Sequence, residues 1–340
     1  MPPVPNPRGP LTERLFAELA QPVHALPDLP VARSDDPLAD EDLQLALYCC
    51  YELHYRGLDG VDEAWEWEPT LLGLRRELEA RFEDGIVALA GAPERDDVAP
   101  SDMDIALRAV AEADDGPSLS TYLERQGTRE QVLEFVVHRS AYQLKEADPH
   151  AWAIPRLSGR AKAALVEIEG DEFGGGRADR VHAELFAKAM DELGLDASYG
   201  AYVDRVPAIT LATVNLMSWL GLHRARRGAI VGHLALFEMT SSVPNRRYAT
   251  GLRRLGHDGP VTEFFDEHVE ADAVHEAIAA VDLAGGLAAQ DPSLSPDILW
   301  GARALVLVEG RWAAHVLGSW QQGESSLLAT PAPPAGVVAA

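Results

Sequence analysis

Cysteine is almost missing from this sequence. Cys49 and Cys50 are the two that occur, and neighbouring residues on a helix point their side chains apart, so a disulfide framework and a thiolate metal cage are both excluded. A reducing, cytoplasmic setting is expected. Basic residues are also scarce: 29 Lys+Arg stand against 54 Asp+Glu, a formal net charge of -25. Such a surface repels phosphate backbones and anionic headgroups, which argues against nucleic acid and membranes as partners. Long apolar runs are lacking too. Val206 to Leu222 carries no charge but is broken by Pro207, Asn215 and Ser218, so it reads as a buried core helix rather than a membrane span. Alternating β-branched runs and Asn-Gly or Asp-Gly hairpin turns between them are hardly found.

Helical spacing fills the chain instead. A first block has helices near Thr12 to Ala20, Asp40 to Tyr55, Thr70 to Leu89, Met103 to Ala113 and Ser118 to Gln126. A second has them near Arg129 to Ala147, Ser158 to Glu169, Arg177 to Leu193, Pro207 to Arg226, Ala229 to Thr240, Arg246 to Leu255, Val261 to Leu283 and Pro296 to Gln322, by the recurrence of apolar residues three and four apart. The fold class is therefore all-α. Gly174-Gly175-Gly176 interrupts the periodicity and marks a tight corner. The proline-rich start lacks a basic stretch followed by an apolar run, so residues 1–10 are expected to be a disordered leader rather than a secretion signal. The organisation expected is an N-terminal helical region over 11–125, a larger bundle over 126–325 and a Pro/Ala-rich disordered tail over 326–340.

The densest group of titratable residues runs from Phe264 to His275. Read as a helix, His268, Asp272 and His275 stand at i, i+4 and i+7 and share one face. Val261, Phe264, Phe265 and Ala279 continue that face above and below, so the three polar groups interrupt an apolar stripe. Burying them costs several kcal/mol unless they are paired or ligated, and a metal is the economical explanation. A hydrogen-bonded His-Asp-His core cluster is the plainer alternative. His182 repeats the theme on a stripe of Ala178, Leu185, Phe186 and Ala189, with Asp179 three residues before it. Two helices each offering a carboxylate and a histidine, with carboxylates from two more, follow the ligand logic of di-iron bundles. Glu134, Glu146, Glu167, Glu169, Glu172, Glu184 and Glu238 are the glutamates available to complete such a site, and composition alone does not choose among them.

The spacing Glu146-x25-Glu172-x9-His182, then His268-x3-Asp272-x2-His275, resembles the ligand pattern of the haem-oxygenase-like di-iron oxidases and oxygenases. Tyr142 to His150, Asp171 to Gly176, His182 to Phe186, Leu222 to Arg224, Gly232 to Ala235 and Phe237 to Ser242 are similar to the group called iron-containing redox enzymes. The resemblance covers roughly Thr128 to Gln322. It implies a seven-helix haem-oxygenase-like bundle with an additional N-terminal helical region, and two irons held by Glu146, Glu172, His182, His268, Asp272 and His275. Tyr142 and Asp179 are then expected beside the ligands, Asp179 as an acceptor that orients His182. The first block is similar in placement to a helical dimerisation region, so a homodimer is expected. The cupin domain that follows the bundle in a member of that kind has no counterpart in this sequence, and chemistry that depends on it is not expected.

The implied chemistry is O2-dependent. A reduced iron pair takes up O2, forms a peroxo-bridged di-ferric species and oxidises a small organic substrate, with an external reductant whose identity the sequence does not name. N-oxygenation of an amine or amino-acid-like nitrogen in specialised metabolism leads. Oxidative decarboxylation or desaturation of a fatty or amino acid, and a non-catalytic iron-binding protein of the same fold, are the alternatives. Fe/Fe and Mn/Fe pairs both suit three histidines and three carboxylates. Arg246 and Arg247, with Asn215, His233 or Tyr248 as neighbours, are candidates for recognising the substrate.

Overall fold

Short polar signals set where the helices begin. The Asp40 carboxylate accepts from the backbone N–H groups of Asp42 and Leu43, Ser118 accepts from Thr121, and Thr128 with Gln131 forms a reciprocal box; each satisfies donors that a first helical turn leaves open. The computed structural model describes residues 1–94 and 98–329, apart from the side chains of 272 and 273. Its first block holds α1 (Pro10–Leu19), α2 (Glu41–Glu52), α3 (Pro69–Ala90), α4 (Met103–Glu112) and α5 (Leu119–Arg125). The second holds α6 (Arg129–Gln143), α7 (Asp148–Ala151), α8 (Gly159–Glu172), α9 (His182–Glu192), α10 (Ala208–Leu222), α11 (Arg227–Arg254) and α12 (Pro260–Ala277). A π-helical segment (Ile278–Gly285) then leads through α13 (Gly286–Gln290) to α14 (Ser295–Gln321). No strand occurs among the described residues.

The apolar stripes bury one another. Helix α10 is buried from Ala208 to Gly221, as its uncharged sequence predicts, and packs on α2, α14 and α11. Helices α11 and α14 touch backbone to backbone. A Cβ on Gly232 would lie 1.8 Å from the Ile298 carbonyl oxygen, and one on Gly301 would lie 1.9 Å from that of Ala229, so only glycine permits this approach. Helix α12 packs on α11 and α9, and the π-helical segment on α8.

The two blocks share one core. Asn215 on α10 donates to both the backbone and side-chain oxygens of Gln44 on α2, at 2.9 and 2.8 Å. Deeper still, the Lys145 ammonium pairs with the Glu52 carboxylate, whose other oxygen accepts from the Tyr199 hydroxyl at 2.7 Å. Lys145 is 1% and Glu52 0% exposed, so the ions satisfy each other in the interior, with the rings of Tyr48 and Tyr55 over the ammonium.

Four expectations are corrected. The start of the chain is anchored rather than loose: the backbone N–H of Asn6 donates to Asp204 at 2.8 Å, and Arg8 pairs with Glu41 and donates to the Val206 carbonyl. At the other end Ser326 is buried against Glu134 and His138, while 330–340 lie outside the described residues. The two helices expected on either side of Val243 are one, because α11 runs through Pro244. Proline removes a donor to Thr240, but packing of α11 on α5, α12 and α14 holds both sides in line. Finally, α6 stops at Gln143 and α9 starts at His182, so the residues just outside them occupy turns.

Candidate metal centre

Those turns aim the side chains. Gly174, Gly175 and Gly176 all have positive φ, at 69°, 60° and 81°, and a Cβ on Gly174 would lie 2.7 Å from the backbone of Arg180 and Val181. The corner folds the chain back on itself. As a result Glu172, the last residue of α8, faces His182, the first of α9, with Oε2 and Nδ1 2.9 Å apart. Glu146 lies in the turn after α6, next to Ala147 at φ 73°. A non-glycine residue in so sparsely populated a backbone region costs about 1–3 kcal/mol, and here it sits beside a carboxylate directed inward.

His268 comes from α12 as the periodicity predicts. Its Nδ1 donates to the Phe264 carbonyl at 2.7 Å, which fixes the tautomer and turns Nε2 toward Glu146 Oε1, 3.5 Å away. Glu146, Glu172, His182 and His268 thus converge, one ligand atom from each lying within 4.8 Å of the others. Two turns further along α12, His275 meets a second group, Glu172 with Glu238 of α11. Its Nδ1 lies 3.3 Å from Glu238 Oε2, and Nε2 donates to Asp171 at 2.9 Å. Glu172 belongs to both groups.

The chemistry of these atoms fits metal ions. Glu146 Oε2, Glu172 Oε2, His182 Nδ1 and His275 Nδ1 are buried and make no well-formed hydrogen bond, although such atoms in an interior are nearly always satisfied. Burial pushes the Glu172 carboxyl up, but the imidazoles of His182, His268 and His275 overcome it and pull it down to about 2. Burial lowers His275, but the Glu238 and Asp171 carboxylates beside it win and raise it to about 9. His182 is raised as well, by Glu172 acting against burial. Anionic carboxylates facing imidazoles that take up protons without an ion mark sites a cation would occupy in their place.

The structure brings together Glu146, Glu172, His182, His268 and His275 of the sequence-derived set; the Asp272 side chain lies outside the described residues. Glu238, one of seven candidate glutamates in the sequence, joins them. Tyr142 lines the small cavity between the two groups, with burial and the surrounding glutamates raising its hydroxyl. Asp179 is placed elsewhere: it is exposed and paired with Arg177, and the carboxylate that holds a histidine from behind is Asp171, on His275. Glu169 also lines the cavity. It is 3% exposed, neither of its oxygens has a hydrogen-bond partner, and burial, then Glu172 and Glu238, push it up to about 9.

A larger cavity of about 390 Å³ opens beside Glu146 and His268, a size that suits a small organic molecule. Phe135, Phe186, Phe237, Tyr248, Phe265 and Trp312 form much of its wall. Of the five substrate candidates, Tyr248 lines it and Arg246 does not. Arg247 reaches Ser120 on its rim at 3.4 Å, Asn215 is committed to Gln44, and His233 lies behind Phe237, stacked on its ring and 3.1 Å from His150.

An all-α bundle with two carboxylate–histidine groups sharing one glutamate, beside a cavity of substrate size, has the form of a metal-dependent redox protein. Residues 133–310, just over half of the chain, match the family described as iron-containing redox enzyme, and the chain belongs to that family. Its fold is all-α and haem-oxygenase-like. It is also similar to nitrosourea synthase of Streptomyces achromogenes subsp. streptozoticus, 27% identical over 161 residues, which make up 46% of this chain and 34% of that enzyme. The chain thus spans about a third of that relative's length. Among the described residues no helix is long and apolar enough to cross a membrane.

Proposed function

We propose that the chain is a non-haem di-iron oxygenase that uses O2 to oxidise the nitrogen of an amine or amino-acid-like substrate. The observation that supports it most is the sharing of Glu172 between two ligand groups, because a carboxylate common to both would let the two groups hold an ion each. Glu146, Glu172, His182 and His268 would hold one ion, and Glu172, Glu238 and His275 the other, with Asp272 expected from the sequence to join the second. Bound iron would supply O2 activation and electron transfer, with an external reductant.

The remaining work falls to the chain. Phe264 fixes the His268 tautomer and Asp171 that of His275, so each imidazole presents its ligating nitrogen without reorganisation. Phe186 and Phe237, which line the large cavity beside Glu146 and His268, give that side of the site an apolar surface. The cavity touches Glu146 and His268 but neither Glu238 nor His275, so a substrate would approach from the side of Glu146 and His268. Nitrogen oxidation is favoured over attack on a fatty chain because polar groups, among them Arg139, Gln143, Asn245 and Glu309, share the wall with the aromatic rings.

Anaerobic titration with Fe(II) tests the reading. Two irons per chain, followed by O2 consumption that an amine or amino acid accelerates and a fatty acid does not, is the expected result. One iron per chain, a haem absorption band, or acceleration by fatty acids alone would overturn it.

A further inference from the structure

Arg139 and Glu309 form the one bidentate ion pair in the wall of the large cavity among the described residues. Arg139 Nη1 donates to Glu309 Oε1 at 3.1 Å and Nη2 to Oε2 at 2.8 Å. The guanidinium carbon lies over Trp312, 3.9 Å from the ring centre, and the two side chains are only 19% and 24% exposed. An ion pair so placed contributes little to stability compared with apolar residues of the same size. It also leaves capacity unused: a guanidinium has five N–H donors and a carboxylate about four acceptor sites, and the two bonds between them, with a third from Arg139 to the Tyr248 hydroxyl, leave about two donors and two acceptors open.

The pair also stands at a defined place. Arg139, Gln143 and Glu146 follow one another along α6 and the turn after it, and all three line the cavity. Arg139 and Gln143 lie one helical turn apart, about 6 Å along α6, and Glu146 follows in the turn beyond, so the ion pair stands more than a helical turn from the ligand. One end of the cavity therefore meets the metal ligands and the other meets a cation and an anion side by side.

We propose that the Arg139–Glu309 pair is the polar end of the substrate site and selects a zwitterionic head group, an ammonium and a carboxylate on one molecule. A lone carboxylate would compete with Glu309 for Arg139, and a lone ammonium would compete with Arg139 for Glu309; in either case one charge is left uncompensated in a half-buried wall. A zwitterion engages the unused donors and acceptors of both and leaves the pair intact. This rests on the reading of the cavity as the substrate site of an oxygenase, and it assigns the head group that the oxidised nitrogen's far end carries.

The test uses three probes of similar length, L-norleucine, pentylamine and hexanoate, titrated calorimetrically into the full chain, both metal-free and loaded anaerobically with Fe(II). L-Norleucine is expected to bind at least about tenfold more tightly than either singly charged probe, one charge-assisted hydrogen bond being worth about that much. Glu309→Gln leaves Arg139 uncompensated and shifts the preference to hexanoate, Arg139→Gln shifts it to pentylamine, and Arg139→Lys keeps both charges and the preference for L-norleucine. A purely structural pair would weaken all three probes alike in both glutamine variants, and that result refutes the proposal. So does equal or absent binding of the probes to the wild-type chain, a comparison that decides the matter even if a variant fails to fold. Preference for L-norleucine in a chain that takes up no iron would sink the oxygenase reading and leave the head-group selection standing.

Discussion

Replacing Glu169 with glutamine should make the metal-free protein more stable at neutral pH and leave it little changed in acid. Glu169 is buried beside Glu172 and Glu238 without a hydrogen-bond partner, and its carboxyl is pushed from 4.5 up to about 9. The folded chain therefore holds a proton that the unfolded chain releases above pH 4.5, so this residue lowers stability as pH rises from 4.5 toward 9. Each pH unit in that window costs about 1.4 kcal/mol, which makes about 3 kcal/mol at pH 7. For 340 residues that corresponds to about 4 °C in Tm. Glutamine has the shape of the protonated acid and does not ionise. Its amide brings its own desolvation cost, but that cost does not vary with pH. The measurement is the Tm of wild type and Glu169→Gln in the presence of a chelator, at pH 5 and pH 7. The variant should gain several degrees on the wild type between the two conditions. His275, raised to about 9, contributes stability that is full below 6.5 and lost as pH passes 9, but it does so in both proteins and cancels. A Tm difference that is the same at pH 5 and pH 7 would show that Glu169 is ionised in the fold and would refute the reasoning. With iron bound, Glu172 and Glu238 are neutralised and the pH-dependent gain should shrink.

Glu238→Ala should lower the iron bound from two to one per chain by elemental analysis, because the His275 group loses one of its carboxylates while the Glu146 group is untouched. Asp171→Ala frees the His275 ring to turn, and a chelator competition assay should show the second iron held about 10- to 100-fold less tightly with the first unchanged. Gly232→Ala drives a methyl group into the Ile298 carbonyl; separating α11 from α14 should cost about 1–3 kcal/mol in urea unfolding, with aromatic near-ultraviolet circular dichroism altered as Trp300 shifts.

Much of this was written in the sequence because helices repeat. His268 and His275 stand seven apart on a stripe of Val261, Phe264 and Phe265, and that spacing alone puts them on one buried face of α12. The Gly174 to Gly176 corner was legible for a similar reason, since three glycines in a row fit no apolar pattern. Glu238 was not: every glutamate on an amphipathic helix has the same local appearance, and only the packing of α11 on α12 shows that this one faces His275. Arg139 shares a face of α6 with Val132, Phe135 and Tyr142, but its partner Glu309 is 170 residues away. Asp179 was expected behind His182 from its spacing of three, a rule that holds on a helix; the residues before His182 form turns, and the acceptor is found on a different histidine. Pro244 and Lys145 show the same limit, a local preference overruled by contacts distant in sequence.

The buried bond between Lys145 and Glu52 has a consequence for how the protein is made. During synthesis α2 leaves the ribosome long before Lys145, and longer still before Tyr199 and Asn215, so a carboxylate destined for the interior waits without its cation beside an uncovered apolar face. The N-terminal helices cannot mature first as a finished unit. Their completion coincides with that of the turn that presents Glu146, which ties iron uptake to the closing of the whole chain and makes the newborn N-terminal segment a natural client for chaperones.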